Sequence, residues 1–172
     1  LLDIVPVARD IVIDGISDLI GRSPDSGVRI LVETTAGQGT GIGHTFEQLA
    51  AIVEGISDAH RIGICLDTCH VHAAGYDIGD ADAVAIVLDV FDDIIGLDRL
   101  HALHVNDAKK PLGSCVDRHA HIGEGCIGLA GFAALLNAPR LTGVPKILET
   151  PKMTDGRDWD AINFRRLRRM IA

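Results

Sequence analysis

Residues 61–70, RIGICLDTCH, decide the fold of this chain. The mostly apolar run over residues 61–66 is typical of a strand that is buried in a parallel sheet, and it is too short for a helix. A carboxylate, Asp67, and an imidazole, His70, follow at the point where the strand ends. Their spacing of three residues can direct both side chains into one pocket. The stretch therefore predicts a buried strand that presents two metal ligands at its carboxyl end.

Three similar runs, at residues 29–32, 100–105 and 146–148, predict further strands of the same parallel sheet. Apolar residues at helical spacing lie before and between these runs. They predict helices over residues of about 2–20, 45–58, 80–95, 129–137 and 158–171. Strands that alternate with helices in this way predict an α/β fold.

Potential metal ligands recur at or just beyond the ends of these strands. A lone carboxylate after a strand is ordinarily a helix cap or a solvated loop residue. Four strand ends in succession with the same feature favour a functional site, because parallel α/β barrels build their active sites at this face. The sequence predicts a multinuclear metal site from seven residues: Glu33, Asp67, His70, His104, Asp117, His119 and Glu149.

The spacing of Asp117 and His119 also favours chelation. In an extended segment, side chains two residues apart point to the same side and can bind one ion. Their mixture of oxygen and nitrogen donors suits Zn²⁺ or Mn²⁺ better than Ca²⁺ or Mg²⁺. Nearby His72 is expected at the surface or in support of the site, and a turn after His121 is expected to direct it elsewhere. Cys69 is expected to pack rather than to bind metal.

Composition limits the classes of protein. The chain is 47% hydrophobic and 23% charged, without an apolar run long enough to cross a bilayer, so no membrane partner is expected. Its four cysteines lack paired CxxC spacing, which predicts reduced thiols in a cytoplasmic protein. The net charge of −8 argues against nucleic acid, but bound cations would neutralise the four acidic residues of the site and reverse the local sign. Charge alone leaves the partner open.

Length restricts the architecture. A closed eight-stranded barrel typically needs about 250 residues, whereas this chain has 172. We therefore expect the C-terminal part of a longer protein, with the N-terminal part absent. A complete, small, doubly wound domain is the alternative, since four strands and five helices could form an open sheet.

Five segments together resemble the endonuclease IV family of apurinic/apyrimidinic (AP) endonucleases. The resemblance extends over most of the chain and rests on specific motifs. These are ETTAGQG (residues 33–39), CLDTCH (65–70) continuing through AAGYD (73–77), HVNDAK (104–109), VDRH (116–119) with IGEG (122–125), and ILET (147–150).

The resemblance implies a TIM (β/α)₈ barrel of the xylose-isomerase-like type, in which residues 1–172 would supply strands five to eight. It also implies three zinc ions, with nearly complete shells for two of them in this chain. Glu33 would bridge two ions. Asp67, His104 and Glu149 would complete the shell of one, and the third would be bound by His70, Asp117 and His119.

The activity implied is DNA repair: hydrolysis of the phosphodiester 5′ to an abasic site in double-stranded DNA, leaving a 3′-hydroxyl and a 5′-deoxyribose phosphate. Glu149 and Glu33 would be the catalytic residues, and Arg118 would approach the DNA. The full-length protein is expected to be a monomer.

Two alternatives remain at this stage. A sugar isomerase or epimerase on a related barrel shares the Glu, Asp, His and Glu ligands, but it does not explain the set of His70, Asp117 and His119. The second alternative is an inactive truncated fragment, whose exposed sheet edges would be prone to self-association.

Overall fold

The computed structural model describes residues 4–172 and shows alternating strands and helices over that range. The helices are α1 (Ile4–Gly21), α2 (Phe46–Glu54), α3 (Thr68–Ala74), α4 (Ala81–Ile94), α5 (Leu129–Asn137) and α6 (Trp159–Arg168). The strands are β1 (Ile30–Glu33), β2 (Ile62–Asp67), β3 (Leu100–His104), β4 (Asp107–Ala108), β5 (His119–Ala120), β6 (Lys146–Ile147), β7 (Met153–Thr154) and β8 (Arg157–Asp158).

Four parallel strands form the main sheet in the order β1-β2-β3-β6. Every residue of β2 is buried, as its apolar sequence requires for a central strand. Glu33 pairs in register with Cys65, and Asp67 pairs with His104. The polar carboxyl ends of these three parallel strands therefore lie side by side. The four predicted strands are thus confirmed, with ends that differ by at most one residue.

Five of the six helices were predicted from their apolar periodicity. Residues 2 and 3 of the first predicted helix lie outside the described residues, and the second helix ends at Glu54, earlier than predicted. Helices α2, α4 and α5 bury Phe46, Phe91 and Phe132 in the core beside the sheet.

Helix α3 was not predicted, and it begins directly after β2. Asp67 caps it, because a carboxylate oxygen of Asp67 accepts a hydrogen bond from the backbone N–H of His70. Gly75 ends it in the left-handed conformation, with φ of 109°, which glycine adopts without a steric penalty. Seven residues are too few to show a clear helical period in the sequence.

Two short hairpins, β4 with β5 and β7 with β8, flank the ends of the main sheet. The first places His119 opposite Ala108 and so returns the loop of residues 109–118 to the sheet. Within the described residues, no helix is both long and apolar enough to cross a membrane.

Candidate metal centre

The structure brings all seven predicted ligands together at the carboxyl end of the parallel sheet. Glu33, Asp67 and His104 are the last residues of β1, β2 and β3. Glu149 lies two residues beyond β6, and His70 lies in the first turn of α3. Asp117 and His119 enter from the loop that leads into β5. The seven side chains form two adjacent groups.

The first, the carboxylate group, consists of Glu33, Asp67, His104 and Glu149, whose ligand atoms all lie within 4.8 Å of one another. The Nδ1 atom of His104 is 2.9 Å from Glu33 Oε1, 2.9 Å from Glu149 Oε2 and 3.8 Å from Asp67 Oδ2. Three carboxylates around one imidazole nitrogen form a compact, strongly anionic set of donors.

The second, the histidine group, consists of His70, Asp117 and His119. The two Nε2 atoms of this group are 3.4 Å apart. Asp117 directs one oxygen towards each imidazole: its Oδ2 atom lies 3.3 Å from His70 Nε2, and its Oδ1 atom lies 3.4 Å from His119 Nε2. Donors bound to a tetrahedral Zn²⁺ at about 2.0–2.1 Å lie about 3.3–3.4 Å from one another. The two Nε2 atoms therefore match two corners of such a tetrahedron, and the carboxylate of Asp117 is close enough to both to supply a third donor.

Hydrogen bonds at the opposite ring nitrogens orient both imidazoles of the histidine group. His70 Nδ1 lies 2.7 Å from the backbone carbonyl oxygen of Thr34, and His119 Nδ1 lies 3.3 Å from that of Glu149. Because a carbonyl oxygen only accepts, each Nδ1 must be the protonated nitrogen when the ring is neutral. Each Nε2 is then free to bind a metal ion, as in most histidine metal sites.

The candidate ligands shift one another's pKa values. Burial disfavours the charged form of His70, but the hydrogen bond to Glu33 and the charges of Asp67 and Asp117 outweigh it and raise its pKa to about 9. Burial likewise acts to raise the pKa of Glu33, yet hydrogen bonds and positive charge from His70 and His104 lower it overall. Burial raises the pKa of Asp67. Protonated histidine thus balances part of the carboxylate charge when no cation is present.

The two donor sets fit divalent metal ions. A tetrahedral arrangement of two imidazoles and a carboxylate suits Zn²⁺, and three carboxylates with one imidazole suit Zn²⁺ or Mn²⁺. Cys69 also lies near this centre, with Sγ within 4.8 Å of ligand atoms of Asp67 and His119. Burial raises the pKa of its thiol to about 12, so it is a protonated, packed side chain at neutral pH, as the sequence predicted.

Two histidines near the site in sequence lie in different environments. His72 is only 4% exposed, which excludes the first of its two expected positions, the surface; it lies on the buried side of α3. His121 stacks on Trp159, with ring centroids 3.8 Å apart and planes 4° apart. The turn after His121 thus separates it from the candidate ligands, as the sequence predicted.

Arg118 lies beside the histidine group on the exposed face of the loop. Its Nη1 atom donates a hydrogen bond to the carbonyl oxygen of Asp117 at 2.7 Å. Arg118 and Asp117 line a shallow cleft of about 370 Å³ with the glycine-rich loop after β1 and with His70. A positive side chain at the rim of a metal site is suitably placed to contact an anion.

Sequence reasoning missed several polar residues that support this loop. Gln38 Oε1 accepts a hydrogen bond from the backbone N–H of Asp117 at 3.1 Å. Buried Asp107 accepts hydrogen bonds from the backbone N–H groups of Gly123, Gly125 and Ile127 at 2.9–3.1 Å, and thereby holds the turn that follows β5. Asn106, next to it, contacts two of the candidate ligands. Asn106 and Asp107 both belong to the motif HVNDAK, but the sequence does not show which distant residues they contact.

The gathering of carboxylates and imidazoles at the carboxyl end of a parallel sheet is the arrangement with which TIM barrels build their active sites. A family model described as xylose isomerase-like TIM barrel matches residues 3–170. The probable endonuclease 4 of Geotalea daltonii is 51% identical over 160 residues, which are 93% of this chain and 56% of that protein. The probable endonuclease 4 of Geobacter sulfurreducens is 52% identical over 153 residues, 89% of this chain and 51% of that protein.

Endonuclease IV from Thermus thermophilus superimposes with a TM-score of 0.79 and 39% sequence identity, over 94% of this chain and 57% of that chain. The chain therefore belongs to the endonuclease IV family of AP endonucleases, within the xylose isomerase-like TIM barrels. This confirms the predicted family and the α/β TIM-barrel fold class, in preference to a doubly wound domain. The chain spans about half the length of the curated relatives it matches.

Proposed function

We propose that this chain supplies the metal-binding face of a zinc-dependent AP endonuclease that repairs DNA. The reaction is hydrolysis of the phosphodiester 5′ to an abasic site, with a 3′-hydroxyl and a 5′-deoxyribose phosphate as products. The observation that supports it best is the juxtaposition of the carboxylate group and the histidine group at the strand ends. Membership of a family whose relatives are named endonuclease 4 agrees with a nuclease.

In this proposal the residues divide into ligands and substrate contacts. Asp67, His104 and Glu149 hold one ion with Glu33, and His70, Asp117 and His119 hold a second. Glu33 Oε1 lies 2.9 Å from His104 Nδ1, and the side chain of Glu33 is 35% exposed, so Glu33 could also bind, as a bridging ligand, a further ion outside the histidine group. When bound, divalent ions lower the pKa of water and neutralise charge on a phosphodiester.

Glu149 and Glu33 are the proposed catalytic residues. The side chain of Glu149 is 43% exposed, which leaves it accessible to water at the open side of the carboxylate group. It can therefore orient an attacking water molecule or accept its proton. Arg118, at the rim of the cleft, would bind a DNA phosphate. An abasic nucleotide has no base to unpair or unstack, so it costs less to extrude from the duplex than an intact one.

We also propose that residues 1–172 are the C-terminal part of a single TIM-barrel domain and contribute its strands five to eight. The whole protein would be a cytoplasmic monomer that binds double-stranded DNA with abasic sites. The coverage of 51–56% of the curated relatives supports this assignment. Incision by the 172-residue chain alone should then be weak, because the rest of the barrel would supply further ligands and DNA contacts.

Zinc content and incision test the proposal together. Elemental mass spectrometry of the purified chain should give about two zinc ions per chain, one for each group. The substrate is a 5′-labelled duplex with a tetrahydrofuran abasic analogue, with an intact duplex and chelator-treated protein as controls. Zinc-dependent cleavage of the abasic strand alone, leaving an end that a polymerase extends, would support the activity.

Other results would favour the alternatives. Two bound zinc ions without incision would indicate an inactive fragment that retains the metal site. Absence of zinc from a folded sample would overturn the ligand assignment. A sugar isomerase or epimerase would interconvert pentoses or hexoses instead, but such a function leaves the separate histidine group unexplained.

A further inference from the structure

Asn106 lies between two candidate ligands of the carboxylate group and is completely buried. Its Nδ2 atom donates a hydrogen bond to Asp67 Oδ2 at 2.6 Å. Its Oδ1 atom accepts one from the backbone N–H of Glu149 at 2.9 Å. One amide therefore connects the end of β2 to the segment after β6, two strands that are separated by β3 in the sheet.

The orientation of this amide is fixed by its partners. A carboxylate oxygen accepts hydrogen bonds and a backbone N–H donates them, so only one of the two possible orientations satisfies both contacts. The backbone of Asn106 is fixed as well. Its N–H donates to Thr68 Oγ1 at 2.8 Å, and the Thr68 hydroxyl donates to its carbonyl oxygen at 2.6 Å. Asn106 is thus a rigid connector whose side chain has little freedom to move.

The rigid amide of Asn106 helps to fix the carboxylate of Asp67. Its Oδ1 atom accepts the backbone N–H of His70 at 3.0 Å, and its Oδ2 atom accepts the amide of Asn106. Both oxygens are therefore held in place before any cation arrives. A neutral amide achieves this without adding charge to a group that already contains three carboxylates. Partners of this kind typically change metal affinity by about 10- to 100-fold when they are removed.

We propose that Asn106 is a positioning residue that sets the metal affinity of the carboxylate group by fixing Asp67 and Glu149 relative to each other. This inference rests on the proposed function, since it takes the carboxylate group as a metal site. It predicts selectivity between the two sites. Loss of the amide should weaken ion binding at the carboxylate group and largely spare ion binding at the histidine group, because no side chain of the histidine group is hydrogen-bonded to Asn106 among the described residues.

Cobalt titration of the full 172-residue chain tests this selectivity. Co²⁺ gives visible absorption bands that depend on the donors, so the two sites can be followed separately, and zinc competition gives their affinities. The variants are Asn106→Ala, which removes both contacts and leaves a smaller side chain, and Asn106→Leu, which removes both contacts but keeps approximately the same volume without adding charge. Asn163→Ala is the control, because Asn163 is also fully buried and its side chain contacts His121, Ile122 and Thr150, none of them a candidate ligand.

We expect about 10- to 100-fold weaker binding at the carboxylate group in both Asn106 variants, with the histidine-group band retained. The retained band reports that each variant is folded, and melting temperature gives a second check. Asn163→Ala should lower the melting temperature but keep both bands. Equal weakening of both sites, or a carboxylate-group affinity that stays close to that of the original chain, would overturn the inference while leaving the proposed metal centre intact. An unaltered chain that binds no cobalt or zinc would overturn both.

Discussion

The Nε2 atoms of His70 and His119 lie 3.4 Å apart, although the two residues belong to different elements, the start of α3 and the short strand β5. Asp117 completes this group of donors, with one carboxylate oxygen 3.3 Å from His70 Nε2 and the other 3.4 Å from His119 Nε2. Replacement of both Asp117 and His119 by alanine removes two of these three donors. The variant should lose about one zinc ion per chain and keep its fold, because the two residues lie in a loop and at its junction with a two-residue strand.

Elemental analysis and circular dichroism measure these two effects. An exposed acidic pair on helices α1 and α4, Asp14 and Asp93 replaced by alanine, is the matched control and should leave the zinc content unchanged. Loss of helical signal with retention of all bound zinc would contradict the assignment of the histidine group.

Replacement of His72 by phenylalanine should stabilise the chain. Neither ring nitrogen of His72 makes a hydrogen bond of good geometry among the described residues, and burial lowers its pKa. An apolar ring removes the cost of the unpaired polar atoms, so we expect a gain of about 1–2 kcal/mol in the free energy of unfolding at neutral pH. Urea titration at a pH of about 7.5, above the ordinary histidine pKa, provides the measurement.

The same substitution should also alter the response to acid. Because the pKa of His72 is lower in the folded chain than in the unfolded chain, protonation favours unfolding, and stability is lost as the pH falls below about 6.5. The advantage of phenylalanine should therefore grow between a pH of about 7.5 and a pH of about 5. A constant difference over this range would argue against a neutral, buried imidazole.

Replacement of Gly131 by alanine should strongly destabilise the chain. Gly131 is a buried residue of α5, and a Cβ atom built on it would collide with the backbone carbonyl group of Ile78. The backbone must move to relieve this contact, so we expect the free energy of unfolding to fall by about 3 kcal/mol. A Cβ atom built on Gly15, on the exposed side of α1, would meet no atom within 4 Å among the described residues, apart from the backbone of its own helix and its chain neighbours.

Gly15→Ala is therefore the matched control within another helix, and it should stabilise the chain by about 0.5–1 kcal/mol. Thermal and urea denaturation should show that the free energy of unfolding falls in Gly131→Ala and rises in Gly15→Ala. Similar effects of the two substitutions would mean that α5 does not approach the segment after α3 as closely as described.

Replacement of Arg118 by alanine should weaken binding of an abasic duplex without changing the zinc content. Arg118 is exposed at the rim of the cleft beside the histidine group. If it contacts one phosphate, the slope of log K against log salt should decrease in magnitude by about one. Fluorescence anisotropy over a range of salt concentrations measures the slope. Arg22→Ala is the control, since Arg22 pairs with Asp18 near the end of α1.

Local patterns explain what could be predicted from the sequence. The apolar run that ends at Asp67 indicated both a buried strand and the residue at its carboxyl end, because the two features are adjacent in the chain. The parallel register then brings Asp67 opposite His104, as expected when several such strands share one sheet. Five helices were predictable because each contains enough residues to show a period.

The remaining features depend on contacts between distant residues. Nothing local indicates that Asn106 bonds both Asp67 and Glu149, or that Asp107 holds a turn 16–20 residues further along the chain. His72 was misplaced for a related reason. Its environment is set by the phase of α3, a helix too short to be recognised from its own residues.

The carboxylate group joins the ends of β1, β2 and β3 with the segment after β6, and each of these strands is connected to the next through at least one helix. Its donors therefore meet only after all four strands have paired, so the site is assembled late in folding. An ion bound as proposed would cross-link the ends of all four strands and oppose their separation. Removal of that ion by a chelator should therefore shorten the lifetime of the folded chain.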